Sequence, residues 1–134
     1  MSAVPDGLLY SKEHEWVKIE GEVCTVGVTD YAQSKLGDVV VVDLPKVGAK
    51  LEYMKPACSI ESFKAVSDVY SPLSGTVLEV NTEISKDPGL VNRDPYGKGW
   101  LFKLRPEKLD EEAVSLLKPE EYRRFVEGLS DAGA

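Results

Sequence analysis

Short runs of alternating apolar and polar residues fill most of the chain before residue 107, and this alternation is typical of half-buried β-strands. The run from Glu15 to Val28 is broken at Glu20-Gly21, which predicts two strands joined by a tight turn. Further runs predict strands at 38–44, 56–63, 66–70, 76–81 and 100–104, with a short extended piece at 50–53. The Asp38–Leu44 run is so rich in valine that we expect a strand covered on both faces, or nearly so.

Helical signals lie in three other places. Thr29 to Gly37 opens with a capping residue and closes with glycine, which predicts a helix of two turns near 29–36. In the segment about 107–129, apolar residues recur at helical spacing in two blocks, and Pro119 suits the first turn of the second. We expect both helices to pack on the sheet. Asp87 to Gly99 is rich in Pro and Gly, which predicts a long loop.

The many short strands with turn signals between them predict a mainly β fold, a barrel or sandwich with a helical C-terminal appendage. A length of 134 residues suits one domain with one core. We therefore expect a single domain over 1–134, with its core at about 9–106 and the helical segment at about 107–129.

The charge of the chain narrows the classes of partner. There are 16 Lys and Arg residues against 23 Asp and Glu residues, which gives a formal net charge of −7. Such a surface repels phosphate backbones and anionic lipids, so we expect neither nucleic acid nor a membrane as partner. The N-terminus lacks a basic start followed by an apolar stretch. The protein therefore either stays where it is made or has already lost a leader.

Metal and thiol chemistry find little support in the sequence. Cys24 and Cys58 are far apart and form no CxxC pair, and His14 is the only histidine, so we expect no zinc site and no redox dithiol. The thiols are interpreted as buried and reduced, and His14 as a packing or hydrogen-bonding residue. An enzyme that uses one of these cysteines with His14 has only the presence of the side chains in its favour.

Lys64-Ala65 separates two predicted strands, and this pair is unusual for a hairpin turn. Two-residue hairpin loops select Asn, Asp or Gly, because these residues tolerate positive φ. We therefore infer an ordinary type I turn imposed by the flanking strands, with Lys64 raised into solvent at its tip. An accessible ammonium on a rigid loop suits covalent acylation. An ordinary surface lysine that keeps the sheet edge soluble is the alternative.

The residues around Lys64 also carry a family resemblance. Glu61-Ser-Phe-Lys-Ala65 followed by Ser71-Pro-Leu-Ser-Gly75 resembles the lipoyl-attachment segment of the lipoyl and biotinyl domain superfamily. The flanking motifs resemble the glycine cleavage system H protein family, and they are Tyr10-Ser-Lys-Glu-His-Glu-Trp-Val17, Gly27-Val-Thr-Asp-Tyr-Ala-Gln33, Leu36-Gly-Asp-Val39, Asp43-Leu-Pro45, Asp87-Pro-Gly-Leu-Val-Asn92, Asp94-Pro-Tyr-Gly97 and Gly99-Trp100. Separated motifs in the correct order are more specific than a single short pattern.

The resemblance implies a flattened barrel-sandwich hybrid with Lys64 at a hairpin tip, its amine joined to lipoic acid through an amide. Glu61 and Gly75 match motif positions that a lipoyl ligase or transferase would recognise. The protein would be a carrier without catalytic activity of its own, since the chemistry belongs to the cofactor and the partner enzymes. A lipoyl-donor protein that serves other enzymes is a related alternative.

The same resemblance implies three partner enzymes. A pyridoxal-phosphate-dependent glycine decarboxylase would load the aminomethyl group of glycine, and an aminomethyltransferase would pass its carbon to tetrahydrofolate. An FAD-dependent dihydrolipoamide dehydrogenase would then reoxidise the carrier. A shuttle between three enzymes needs no permanent interface, so we expect a monomer. The location would be the bacterial cytoplasm, or the mitochondrial matrix for a processed eukaryotic chain.

A cleft that shelters the arm is a further implication. Glu15 and Asp68 match positions that offer carboxylates to the aminomethyl ammonium in the family, and Glu13 would add another negative charge. Glu13 replaces a small polar residue of some relatives, and Phe63 stands where the family often has Val.

Other carriers fit the sequence less well. A biotin carrier would flank its lysine with methionines, whereas Lys64 lies between Phe63 and Ala65. A lipoyl domain of a 2-oxo acid dehydrogenase would be shorter and would lack the terminal helices. An unmodified structural or regulatory β-domain is the remaining alternative.

Overall fold

The structure is a computed structural model that describes residues 2–133, with side chains described through residue 129. Within this range the chain forms the strands β1 (Leu9–Tyr10), β2 (Glu15–Glu20), β3 (Val23–Val28), β4 (Val39–Asp43), β5 (Lys50–Leu51), β6 (Pro56–Ser62), β7 (Val66–Tyr70), β8 (Gly75–Val80) and β9 (Phe102–Pro106). The helices are α1 (Asp30–Leu36), α2 (Thr82–Lys86), α3 (Leu90–Arg93), α4 (Leu109–Ala113) and α5 (Pro119–Gly133).

The strands form two antiparallel sheets. The larger has the order β1-β2-β3-β9-β8-β5, and the smaller has the order β4-β6-β7. Side chains from both sheets share one core, in which Val26 and Phe102 of the larger sheet meet Ile60 and Val69 of the smaller. Neither sheet closes on itself, so the architecture is an open sandwich, and the predicted mainly β, flattened barrel-sandwich fold is confirmed.

The β2–β3 hairpin agrees with its prediction, with the turn one residue later than expected. Glu20 pairs with Val23, so the loop is Gly21-Glu22. Gly21 has φ of +62°, a conformation that suits glycine at such a turn. The hairpin therefore follows from local turn chemistry and alternation.

The prediction that the Asp38–Leu44 strand is covered on both faces was wrong. Val40 and Val41 are 37% and 47% exposed, while Val39 and Val42 are buried. Only Val39 and Val42 of this strand reach the core between the sheets, and the ladder with β6 is irregular between Val39 and Val41, so Val40 and Val41 face solvent. A valine run shows high strand propensity, but it does not report the position of the strand in the sheet.

The helix near 29–36 is confirmed as α1. The hydroxyl of Thr29 accepts the N–H of Ala32 at 3.2 Å, and Gly37 ends the helix with φ of +78°. The C-terminal helices are confirmed as well, although α4 is only five residues long. Tyr122 of α5 stacks on Tyr10 of β1 with ring centroids 4.6 Å apart, so α5 packs on the larger sheet.

The predicted long loop at 87–99 was partly wrong, because α3 lies inside it, and α2 before it had no predicted counterpart. Two asparagines organise this region. Asn81 caps α2 by accepting the N–H of Glu83 at 3.2 Å, and its amide donates to the carbonyls of Lys98 and Trp100. The amide of Asn92 donates to the carbonyl of Gly37 at 2.8 Å, which fixes α3 beside the end of α1. The last predicted strand is also shifted by two residues, to β9.

Gly75 begins β8 where that strand runs close to β9. A Cβ at this position would lie 2.2 Å from the carbonyl oxygen of Arg105 and 2.8 Å from Cδ1 of Leu104. We therefore expect Gly75→Ala to lower the free energy of unfolding by ~2 kcal/mol or more in urea titrations, since the backbone must shift. Gly128→Ala is the matched control, because nothing lies within 4 Å of its Cβ position in α5. The control should gain ~0.5–1 kcal/mol, and equal stability of the two variants would contradict the packing argument.

Candidate functional site

The turn that carries Lys64 is organised by the side chain of Ser62. The buried hydroxyl of Ser62 accepts the N–H groups of Lys64 and Ala65, each at 3.2 Å, while its own N–H donates to the carbonyl of Ala65 at 2.8 Å. The turn is therefore centred on Phe63-Lys64, one residue earlier than predicted. No turn residue has positive φ, as the absence of Gly and Asn led us to expect. A side-chain oxygen that binds the backbone two and three residues later replaces the usual turn residues.

Lys64 is exposed at the end of this hairpin. Its ammonium makes no ion pair with any carboxylate in the described part of the chain. Phe63 and Val66 on either side are 82% and 67% exposed, so the tip projects from the sandwich. The methylenes of Lys64 lie beside Gly37, where an added Cβ would be 3.4 Å from Cε of the lysine. The lysine stem therefore lies close to the end of α1, at a distance where an added Cβ would make an ordinary van der Waals contact.

A cavity of about 480 Å³ lies beside the hairpin. One wall is β7, and the opposite wall is α1, which contributes Tyr31, Ala32 and Leu36 together with Lys35. Glu13 and His14, which precede β2, and Glu15, its first residue, also line the cavity. The cavity therefore combines an apolar wall, a strand and a group of titratable side chains within reach of one hairpin.

Glu15 is the buried acid of this cavity, with 1% of its surface exposed. Its carboxylate accepts the hydroxyl of Ser11 and, at 3.2 Å, the N–H of Tyr70. Burial raises the pKa of Glu15 to about 7, because desolvation outweighs these hydrogen bonds and the charge of Glu13 adds to it. Glu15 is therefore poised between its neutral and charged forms near neutral pH.

The structure brings the predicted cleft residues together. Asp68 lies on β7, exposed and opposite Ser59 of β6, and it lines the same cavity as Glu15 and Glu13. Glu13 is exposed in the loop before β2. The three carboxyls thus face one cavity, two from its rim and one from its interior.

The two predicted recognition residues are not neighbours. Glu61 is exposed on β6 and pairs with Val66 across the hairpin, close to Lys64. Gly75 is buried in β8 of the other sheet, against the backbone of Arg105, and does not line the cavity. The close approach of β8 and β9 gives a packing reason for glycine at position 75, whatever its part in recognition.

His14 supports the backbone just before Glu15, and the sequence did not indicate this role. His14 has φ of +73°, and its Nδ1 lies 2.8 Å from the hydroxyl of Tyr122. The same hydroxyl lies 2.7 Å from Oγ1 of Thr29, and the carbonyl of His14 accepts the N–H of Thr29 at 3.0 Å. Burial lowers the pKa of His14, so the ring is neutral at physiological pH and acts as a packing and hydrogen-bonding residue, as expected.

Sequence reasoning also missed two residues of α1. Tyr31 and Lys35 line the cavity one helical turn apart, with the ammonium of Lys35 5.4 Å from the centroid of the Tyr31 ring. The i, i+4 spacing of an aromatic and a basic residue was visible in the sequence. Nothing in the sequence indicated that this face of α1 would meet β7.

The structure adds no support for thiol or metal chemistry. Cys24 and Cys58 are both free, and Cys24 is buried as predicted, whereas Cys58 is only partly buried because it lies in β6 toward the rim of the core. Desolvation nevertheless raises the pKa of Cys58 to about 12, which disfavours the nucleophilic thiolate. Among the described residues, no group of three or more side chains could hold a metal ion. None of the helices in residues 2–133 has the length and apolar character that crossing a membrane requires.

Comparisons with known proteins point to one family. The family model of the glycine cleavage H-protein matches residues 8–128. A glycine cleavage system H protein of Rubrobacter xylanophilus is 54% identical over 95% of this chain and 98% of its own length. A mitochondrial glycine cleavage system H protein of Flaveria trinervia is 49% identical over 94% of this chain and 76% of its own length. The crystal structure of a glycine cleavage system H protein from Mycobacterium marinum superposes with a TM-score of 0.81 at 38% identity, over 89% of this chain and 95% of that one.

The raised pKa of Glu15 has a consequence for stability. The folded chain holds this proton up to about pH 7, whereas the ordinary value is 4.5, so the protonated carboxyl stabilises the fold at low pH and that contribution is lost as the pH rises from 4.5 to 7. Between these values we expect the free energy of unfolding of the parent to fall by ~3 kcal/mol more than that of Glu15→Gln. Urea titrations across this range measure the difference. Parallel pH profiles of the two proteins would contradict a raised pKa at Glu15.

Proposed function

The chain belongs to the glycine cleavage H-protein family and is a non-catalytic lipoyl carrier of the glycine cleavage system, and we propose that Lys64 carries its lipoyl group. The observation that carries this proposal is the free ammonium of Lys64 at the tip of the β6–β7 hairpin. An acylating enzyme needs an accessible amine on a rigid backbone. The hydrogen bonds from Lys64 and Ala65 to the hydroxyl of Ser62 make the backbone of this turn rigid.

The residues around Lys64 fit a lipoyl group. The lysine stem lies beside Gly37 at the end of α1, and Tyr31, Ala32 and Leu36 of that helix offer an apolar wall for methylenes. Formation of an amide removes the positive charge of the lysine. The uncharged side chain can then pack against the apolar wall of α1 without the cost of desolvating an ammonium. When bound, the lipoyl group would supply a disulfide that can be reduced and can carry a substrate fragment.

We propose that the cargo is the aminomethyl group of glycine, received from a pyridoxal-phosphate-dependent glycine decarboxylase. An aminomethyltransferase that uses tetrahydrofolate would take it up, and an FAD-dependent dihydrolipoamide dehydrogenase would restore the oxidised carrier. A lipoyl ligase or transferase would attach the group to Lys64. Membership of the family supports the glycine cleavage components as partners, while each of these contacts and the monomeric state are predictions.

The contribution of this chain is the environment of the cargo. An aminomethyl group carries a basic amine, and Glu15 and Asp68 both face the cavity that it would enter. A cation near Glu15 favours the charged carboxylate, which would lower its pKa below about 7 and form a buried ion pair. Exclusion of water by the α1 wall would slow hydrolysis of the bound fragment.

Carriers of this family occur in different compartments. The relatives include a bacterial protein and a plant protein described as mitochondrial. The bacterial cytoplasm, or the mitochondrial matrix, is therefore a prediction for this chain.

Intact-mass spectrometry tests the attachment residue. We expect a lipoyl adduct on the parent protein produced with a lipoylating enzyme, and its complete loss in Lys64→Arg, which keeps a positive charge but lacks the acceptor amine. Lys55→Arg is the matched control, since Lys55 is an exposed lysine just before the opposite end of β6. A biotin adduct, or a lipoyl adduct that persists in Lys64→Arg, would overturn the proposal.

The sheltering role of the cavity is tested by the lifetime of the loaded protein. We expect Asp68→Asn to speed release of the aminomethyl group by about two- to fivefold, the range for one partly exposed charge pair. Glu79→Gln controls for the loss of one negative charge, because Glu79 is exposed on β8 of the other sheet. The release of ammonia from loaded protein measures the rate, and equal rates in Asp68→Asn and the parent would exclude this role for Asp68.

A further inference from the structure

The contact between Tyr31 and Lys35 has no part in the proposed function. The two residues lie one turn apart on α1, and Nζ of Lys35 is 5.4 Å from the centroid of the Tyr31 ring. The Tyr31 ring also lies 4.7 Å from the imidazole ring of His14, measured between centroids, which limits its rotation. An amine and a phenol are therefore held side by side in the lining of the cavity.

Lys35 carries the amine that a small electrophile in this cavity would meet. Of the described residues that line the cavity, Lys35 alone has a primary amine. The side chain is exposed, and its ammonium takes part in none of the ion pairs found in the described part of the chain. The imidazole of His14 is half-buried and is bonded through Nδ1 to the hydroxyl of Tyr122. The Lys35 amine is thus the accessible nitrogen nucleophile of the lining.

The cargo proposed for this chain is itself a source of such an electrophile. Hydrolysis of an aminomethyl group bound through sulfur breaks the C–S bond and the C–N bond, and water supplies one oxygen. The products are a thiol, ammonia and formaldehyde. Formaldehyde reacts with amines without an oxidant or a reductant, so every loss of cargo to water would expose the cavity lining to a reactive aldehyde.

We propose that Tyr31 and Lys35 capture this formaldehyde as a methylene bridge between Nζ of Lys35 and the ring carbon next to the Tyr31 hydroxyl. The source of the formaldehyde rests on the proposed function, whereas the reactive pair does not. The bridge would join two adjacent turns of α1 on the wall of the cavity.

The capture needs two steps. Nζ of Lys35 first adds to the carbonyl carbon, and the adduct takes up a proton and loses water to leave a methylene iminium cation. The activated ring carbon of Tyr31 then attacks the methylene carbon, the electron pair of the C=N bond moves to Nζ, and the ring proton leaves to water. One amine, one formaldehyde and one ring C–H therefore give the bridge and one molecule of water.

The second step selects Lys35 over the other lysines. Iminium formation is reversible at any accessible lysine, but the C–C bond forms only where a phenol is within reach. The bridge places Nζ ~2.5 Å from the ring carbon, the usual distance across two single bonds. A lysine one helical turn from the tyrosine can reach this distance by side-chain rotation. The face of the ring attracts the iminium cation, and the carboxylates of Glu13 and Asp68 in the same lining favour positive charge there.

Peptide mass spectrometry of the full chain after treatment with millimolar formaldehyde tests the pair. Dialysis removes the reversible adducts, whereas the bridge adds one carbon, about 12 Da, and persists. Trypsin does not cleave after a bridged Lys35, so we expect the added mass on the peptide 19–46. Fragmentation of that peptide should place the bridge between Tyr31 and Lys35.

Three variants separate the phenol from the amine. Tyr31→Phe keeps the ring but lacks the hydroxyl that activates the carbon beside it, so we expect about tenfold less bridged peptide than in the parent. Lys35→Gln should lose the bridge altogether. Lys103→Gln is the matched control and should keep it, because Lys103 lies 5.2 Å from the centroid of the Trp100 ring but does not line the cavity. Equal yields in the parent and Tyr31→Phe, or equal yields of bridges at other lysines, would overturn the proposal.

An isotope label identifies the source of the aldehyde. In protein loaded with an aminomethyl group that contains a heavy carbon isotope, we expect the bridge at Tyr31 to become one mass unit heavier as ammonia is released. Labelled formaldehyde in solution without label at Tyr31 would contradict capture of the cargo carbon. Protein that cannot be loaded but forms the bridge with free formaldehyde would support the pair and contradict the proposed function.

Discussion

The presentation of Lys64 depends on one buried hydroxyl. Ser62 supplies the hydrogen-bond acceptor for two turn amides, and this allows β6 to reverse direction without a glycine or asparagine. The positions that such residues would occupy are free for Phe63 and Lys64, both of which project from the tip. Hydrogen bonds from a side chain to the turn also limit backbone motion, so the amine of Lys64 is presented on one backbone conformation. The exposed lysine and the rigid backbone beneath it are thus two results of the same contact.

Burial of Glu15 links the fold to the chemistry of the cavity. The carboxyl of Glu15 has only 1% of its surface exposed, so its ionisation is unfavourable, and this desolvation raises its pKa to about 7. The fold accepts the group because Ser11 and the edge of β7 provide hydrogen bonds to it. A cation delivered to this place would recover part of the cost by pairing with the carboxylate, whereas a neutral arm would not. Under the proposed function, a loaded arm would thus differ from an empty one in the charge that it brings to Glu15.

Local patterns predicted those parts of the fold that short-range physics decides. The alternation that builds β2, β3 and β7 and the caps of α1 lie in adjacent residues, and the lysine motif lies within the β6–β7 hairpin. What the sequence could not reveal depends on distant partners. Whether Val41 is covered depends on which face of β4 meets the core. The buried carboxylate of Glu15 has a hydrogen-bond partner, the N–H of Tyr70, that is 55 residues away. The loop around Asn92 was misjudged for the same reason, since long-range amide bonds hold it and the Pro and Gly content reports only the local chain.

The C-terminal helix belongs to this site although it lines no part of the cavity. Tyr122 of α5 bonds to His14 and Thr29 through one hydroxyl. Thr29 caps α1, and His14 precedes Glu15, so a single oxygen couples the apolar wall of the cavity to the loop that carries its buried acid. His14 holds a positive φ that a non-glycine residue adopts at some cost, and this conformation persists because bonds from two elements determine it. The stacking of Tyr122 on Tyr10 holds the hydroxyl in turn, so the packing of α5 on β1 supports two residues that adjoin the cavity, His14 and Thr29.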